Sequence, residues 1–164
     1  MIALKSGINP LIAKRIGFAA SLHDIGKNKL PDDLLNKPGK LDENEFEVIK
    51  THTKLGAEML TDLHGDFGTM TRTICLYHHE WYNDCSRSYW GKYACELPAY
   101  VPIISISDVF ISLCAARPYK EAWKFDDAVD YIHDNAGTQF NPVLVDIFLS
   151  LADDEKRLEA INGS

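Results

Sequence analysis

The stretch Val101-Pro-Ile-Ile-Ser-Ile-Ser-Asp108-Val-Phe-Ile-Ser-Leu113 decides the fold of this 164-residue chain. Its β-branched opening, Val101 to Ile106, has the propensity of a strand. Two features argue the other way. The apolar run outlasts an ordinary strand, and its apolar residues recur at spacings of three and four. The stretch therefore reads as a buried helix, opened by Pro102 and running to about Ala116. Within it, Asp108 falls four residues after Ile104 and seven after Val101, on the apolar side. A buried carboxylate without a partner costs several kcal/mol, so Asp108 calls for a metal, a cation or a dense set of donors. Backbone amides or Arg117 would be its ordinary partners.

Working outward, the rest of the chain reads as helix too. Asn9-Pro10 is an N-cap and first-turn pair for a helix through Ile16 to His23, with Gly26 ending it. Pro31 to Leu35 makes a short helical turn, and Lys37 to Lys40 a loop. Asp42-x-x-Glu45 is a capping box that opens one helix, with Phe46, Ile49, Gly56, Met59 and Leu60 on one face. Another helix spans about Asp66 to His79, with Phe67, Met70, Ile74 and Tyr77 inward. Asn83 to Pro98 is a polar, aromatic loop. Asp126 caps a helix that stops at Gly137, and Asn141-Pro142 opens the last, Val143 to Leu151. The expected class is all-α: one domain over 1–164, with a core at about 10–151 and a polar tail at 152–164.

Bulk properties exclude several functions. No apolar run approaches the roughly 20 residues of a membrane span, and the start MIALKSGINP lacks a secretory core. A net charge of −7 argues against a nucleic-acid polymer as partner. It leaves room for an anionic small ligand, because a metal ion reverses the local field. The four cysteines, Cys75, Cys85, Cys95 and Cys114, form no C-x-x-C pair and read as reduced thiols of a cytoplasmic protein.

Chemistry concentrates in a few places. His78-His79-Glu80 follows the apolar run of a helix, and two adjacent histidines point in different directions. His52 lies on an apolar stripe, where a lone histidine is ordinarily a hydrogen-bonded core residue. His23-Asp24 ends another helix, where the helix dipole favours a histidine. Together with Asp108 these are four imidazoles and two carboxylates, enough for two ions with one bridging carboxylate. That donor set suits Fe, Mn or Zn rather than Ca or Mg. His64, beside a turn, and His133 fall outside the pattern and read as surface or packing residues.

The order of blocks carries a resemblance. His23-Asp-Ile-Gly-Lys27, Leu30-Pro, Leu35-x-Lys37-x-Gly39-x-Leu41, His52-x-x-x-Gly56-Ala, His78-His-Glu80, Ser107-Asp108-Val-Phe, Arg117-Pro-Tyr-Lys120 and Gly137-Thr-x-Phe140-Asn-Pro142 occur in sequence. The chain resembles the HD-GYP branch of the HD-domain metal-dependent phosphohydrolases from about residue 10 to Leu149. The resemblance implies an HD-domain helical bundle and cleavage of cyclic di-GMP to the linear dinucleotide or GMP. It also implies attack by a metal-bridging hydroxide at a centre of two divalent ions, most often iron or manganese, with Zn, Ni or Mg as other candidates. Carried over, His23, Asp24 and Asp108 hold one ion, Asp24 bridges, and His52, His78 and His79 hold the other. Asp24 and Lys27 would serve catalysis, and Lys27, Arg117 and Lys120 would contact the nucleotide. Glu80 would orient His78 or His79 through a free ring nitrogen.

Two departures stand out. Counting forward from His-His-Glu, Ser86-Arg87-Ser88 occupies the places of the Gly-Tyr-Pro signature, leaving Tyr89, Tyr93 or nothing as the family tyrosine. The family also has an earlier helix with a further histidine. Its place here would be taken by water or by a partner's ligand, or the sequence is a fragment. A related phosphohydrolase with another phosphorylated substrate, or a non-catalytic domain sensing nucleotide or a signalling partner, are the alternative readings. A homodimer is a further possible assembly.

Overall fold

The structure is a computed structural model that describes residues 1–116 and 121–162, with side chains as far as 155. Arg117 and Lys120 lie outside the described residues. Helices carry the fold. Among the described residues there is no strand, only an isolated bridge between Ala136 and Phe140. The helices are α1 (Ile2–Lys5), α2 (Pro10–Ala20), α3 (Asp32–Leu35), α4 (Glu43–Lys50), α5 (His52–Met59), α6 (Gly65–Tyr77), α7 (Tyr100–Cys114), α8 (Phe125–Asp134) and α9 (Pro142–Asn162).

The deciding stretch is α7, and Val101 through Ile106 are all buried. This helix is apolar nearly all round because it runs through the middle of the molecule. Ile103, Ile104 and Ile106 pack with Ile16 and Ala19 of α2, Ile74 of α6, Ile132 of α8, and Leu144, Val145 and Phe148 of α9. Burying each such side chain contributes about 1.5–3 kcal/mol, which holds the helix ends where the polar groups sit.

Helix starts follow the sequence signals. Asn9 accepts a hydrogen bond from Leu11 N–H with Pro10 in the first turn, the Asp42–Glu45 capping box forms in both directions, and Asn141 Oδ1 caps Val143 and Leu144.

Four expectations need correction. The helix read as continuous from Asp42 to Leu60 breaks at Thr51, whose hydroxyl donates to the Val48 carbonyl. The break lets α4 and α5 face different ways, so Phe46 and Met59 are exposed while Gly56 and Leu60 are buried. The first helix stops at Ala20, and Ile25–Lys29 continues as a 3-10 turn. Asp126 lies inside the first turn of α8, whose cap is Lys124. Helix α9 runs on past Leu151, because Ala, Glu, Lys, Arg and Leu of the tail are strong helix formers.

The 3-10 turn lies against α5 at a backbone-to-backbone contact. A Cβ on Gly26 would collide with the His52 carbonyl, and would stand 2.5 Å from Gly56 N. Glycine at 26 thus lets the segment bearing His23 and Asp24 approach the helix bearing His52.

Candidate metal centre

Four separate places in the fold deliver six polar side chains to one point. His23 and Asp24 leave the end of α2, His52 opens α5, His78 and His79 follow the last turn of α6, and Asp108 projects from α7. Two groups of ligand atoms form, each with all its atoms within 4.8 Å of one another: Asp24, His52, His78 and His79 in one, His23, His78 and Asp108 in the other. His64 and His133 belong to neither group.

Asp24 divides its oxygens between the two sides. Oδ1 lies 3.2 Å from His52 Nε2 and 3.8 Å from His78 Nε2. Oδ2 lies 3.4 Å from His23 Nε2 and 2.5 Å from Lys27 Nζ. His23 Nε2 also meets Asp108 Oδ1 at 3.2 Å. His78 stands beside both groups, so the junction that the resemblance gives to Asp24 is shared by an imidazole.

Main-chain carbonyls aim three of the rings. His23 Nδ1 donates to Ala20 O at 2.6 Å. His52 Nδ1 donates to Ile49 O at 2.6 Å, and His78 Nδ1 reaches Ile74 O and Cys75 O at 3.1 and 3.0 Å. A carbonyl can only accept, so Nδ1 carries the hydrogen and a neutral ring turns its Nε2 lone pair inward. The consequence is visible in the polar accounting. Asp24 Oδ1, His52 Nε2 and His78 Nε2 are buried without a hydrogen-bond partner. Three buried acceptors facing one another are costly unless a cation lies among them. The donor set of imidazoles and carboxylates therefore fits divalent metal.

Charge states agree with that fit at His78, His79 and Asp24, whereas His23 is held protonated in the metal-free site. Burial holds His78 down to about 4, helped by the positive His23. His79 is likewise lowered well below its usual value, by burial and by His78. Burial alone would lower His23, but hydrogen bonds to Asp108 and Asp24 outweigh it and raise the ring to about 10. Burial would raise Asp24, yet the hydrogen bond from His23 and the charge of Lys27 keep it ionised far below the usual range.

Four of the six, Asp24, His52, His79 and Asp108, open onto a cavity of about 520 Å³, also lined by Lys27, Asn36, Ile49, Tyr89 and Ser112. Lys27 lines it while holding Asp24. Lys37 also lines it, with its ammonium held by the Glu45 carboxylate. Asn36 and Ser112 were not singled out from sequence, although Ser112 follows Asp108 by one helical turn, and Ile49 was read only as part of an apolar helix face.

Glu80 differs from expectation. It is 1% exposed, and its oxygens accept from Trp90 N–H at 2.9 Å and Lys92 N–H at 2.7 Å rather than from a histidine. It fastens the loop after α6. Of the two candidate tyrosines, Tyr89 lines the cavity and Tyr93 does not. Burial pushes the Tyr89 hydroxyl up to about 12, with Asp24 and Asp108 adding to it. All four cysteines are free thiols, and no described helix is long and apolar enough to cross a membrane.

Comparison with known proteins agrees with this geometry. The family model described as HD domain matches residues 1–144. A cyclic di-GMP phosphodiesterase response regulator, RpfG of Xanthomonas campestris, is 40% identical over 149 residues, covering 91% of this chain and 39% of its own. A cyclic di-GMP phosphodiesterase of Thermotoga maritima is 35% identical over 150 residues, or 92% and 40% of the two chains. The 3′3′-cGAMP-specific phosphodiesterase 2 of Vibrio cholerae is 33% identical over 138 residues, or 84% and 26%. The chain spans about two-fifths of the length of the first two relatives. With its fold, its polar cluster and these relatives agreeing, the chain belongs to the HD-domain family, in its HD-GYP branch.

Proposed function

We propose that this chain is a metal-dependent phosphodiesterase that opens cyclic di-GMP to the linear dinucleotide or GMP. The observation that carries the reading is the set of three buried, unpartnered acceptors on Asp24, His52 and His78, of which Asp24 and His52 line the cavity. Relatives named for cyclic di-GMP hydrolysis support the substrate.

In this reading His23, Asp24 and Asp108 would hold one divalent ion and His52, His78 and His79 the other. Asp24 would serve both sides, as its split contacts favour. Iron or manganese suits the donors. Bound ions of this kind lower the pKa of water and take up charge on a phosphoryl oxygen. The chain's own groups do the rest. Neutral His78 and His79 keep their lone pairs for ligation, and Asp24 stays ionised across the physiological range. Lys27, on the outer oxygen of Asp24, faces the cavity with a point charge suited to a phosphate. Arg117 and Lys120 complete the nucleotide contacts by the family pattern alone.

A second reading has its own support. Three relatives are named for 3′3′-cGAMP, and the loop beside the cavity carries Ser86-Arg87-Ser88 where the branch has its signature. A related cyclic dinucleotide is therefore the alternative substrate. A cytoplasmic setting, which the free thiols suit, and a signalling protein or a second copy as partner belong to the same proposal.

The test is turnover by protein purified without oxygen and loaded with manganese or iron. Cyclic di-GMP and 3′3′-cGAMP are offered separately, and products are separated by chromatography. Cleavage of cyclic di-GMP is expected; cleavage of 3′3′-cGAMP alone transfers the assignment to the second reading. Metal-loaded protein that cuts neither refutes a hydrolase of cyclic dinucleotides.

A further inference from the structure

Three of the four clustered histidines are aimed by a hydrogen bond from Nδ1 to a main-chain carbonyl. Among the described residues His79 has no such bond. A histidine χ2 torsion is broad and two-fold, so an unbonded ring is poorly fixed. What surrounds His79 is aromatic. Its ring centroid lies 4.0 Å from that of His78 and 5.4 Å from that of His52. Tyr89 lies 4.4 Å away and tilted by only 31°, close to an offset stack.

The loop carrying Tyr89 is fastened on both sides of it. Before it, Ser88 Oγ accepts from Trp81 N–H and donates to Lys92 O, both at 2.8 Å. After it, Trp90 N–H and Lys92 N–H converge on the two oxygens of the buried Glu80. The Trp90 indole N–H donates to Thr53 Oγ1 at 2.9 Å, and Lys54 Nζ lies 3.4 Å from the centre of the Trp90 ring. Both partners belong to α5, the helix that His52 opens. The loop is thereby tied to the two helix ends that supply the cluster with His52, His78 and His79.

We propose that Tyr89 is the positioning residue for His79, and that Glu80 acts through the loop backbone as the strut that seats Tyr89. The proposal rests on the reading of His79 as a metal ligand. A flat ring at stacking distance does for His79 what a carbonyl does for its three neighbours. It limits the swing of the imidazole about its torsion and leaves both nitrogens free of a competing bond. A carboxylate suits position 80 because it accepts from two N–H groups at once. A glutamine there turns an NH₂ against one of them and loses that bond.

The experiment is a manganese titration, followed by calorimetry, of the unaltered chain, Tyr89→Phe, Tyr89→Ala, Glu80→Gln and the pair Glu80→Gln/Tyr89→Ala. Amide hydrogen exchange is read at residues 88–92. Tyr89→Phe keeps the ring and is expected to bind within about threefold of the unaltered chain. Tyr89→Ala weakens one ion about tenfold or more, the usual scale for losing a group that orients a ligand. Glu80→Gln speeds exchange at Trp90 and Lys92 and weakens the same ion, and the pair is no worse than Tyr89→Ala alone. Unchanged affinity in Tyr89→Ala overturns the proposal, and so do losses that multiply in the pair. If Tyr89→Ala fails to fold by circular dichroism, Glu80→Gln decides: faster exchange with undiminished manganese affinity overturns the strut. No step uses a nucleotide. Manganese binding without turnover sinks the hydrolase reading alone, whereas no binding by the unaltered chain sinks both.

Discussion

Asp24 is the residue on which both halves of the cluster depend. Its Oδ1 faces His52 and His78 while its Oδ2 faces His23 and Lys27, so removing it leaves His78 alone as the group common to both sides. Asp24→Ala is expected to lower turnover about a hundredfold or more. Its circular dichroism should stay unchanged, because the apolar core lies elsewhere. A variant that retains turnover would discard the assignment. His23 gives a second prediction. Its ring is raised to about 10, so at neutral pH it carries a proton that must leave before Nε2 can ligate. Loading should release about one proton per chain from this residue, and His78, already lowered to about 4, should release none. Affinity for the ion beside His23 should then climb about tenfold per pH unit while pH remains below about 10. Calorimetry in buffers of different ionisation enthalpy reads both. For the metal-free fold the same raised pKa has the opposite pH trend. The stability it contributes is fully present below the unfolded value of 6.5 and is lost as pH rises through about 10. At this scale His52 and Asp108 were legible in the sequence, because a polar group on an apolar stripe contradicts its surroundings. Glu80 and Tyr89 stood out as residues there, but not in the roles the structure gives them. Their partners are a loop backbone and a neighbouring ring, and neither leaves a spacing to read.

Among the elements, the contact between the 3-10 turn and α5 sets the distance between the two halves. A methyl at Gly26 would strike the His52 carbonyl, and backbone yields less readily than a side chain. Gly26→Ala is expected to cost about 3 kcal/mol, the upper range for overpacking, and to weaken manganese binding by spreading Asp24 from His52. A urea midpoint unchanged by the substitution would contradict this close approach. Element types were readable because the chain's apolar spacing is that of helices and its caps are explicit. The boundaries that failed share a cause. At Thr51 a side-chain hydroxyl competes for a carbonyl inside a run that the apolar pattern reads as unbroken. At the end of α9 the helix outruns the apolar pattern read from sequence, carried onward by helix propensity, the buried Ala152 and the ion pair of Asp154 with Lys5.

For the whole molecule, a net charge of −7 coexists with a cavity whose proposed substrate is an anion. Lys27 and the bound ions would therefore have to set the local sign against the overall field. An ion that binds only the folded chain adds about 2.7 kcal/mol at a hundredfold excess over its dissociation constant. For a chain of this size that raises the melting temperature by about 5–10 °C per site. Calorimetric melts with manganese and with a chelator should differ by at least that amount; coincident melts would mean that no ion binds. The three facing acceptors on Asp24, His52 and His78 carry this further. Without an ion they repel one another, so part of the chain's resistance to unfolding is supplied from solution. In a cell, scarcity of the metal would then be read as shortened protein lifetime, with proteases clearing idle copies before loaded ones.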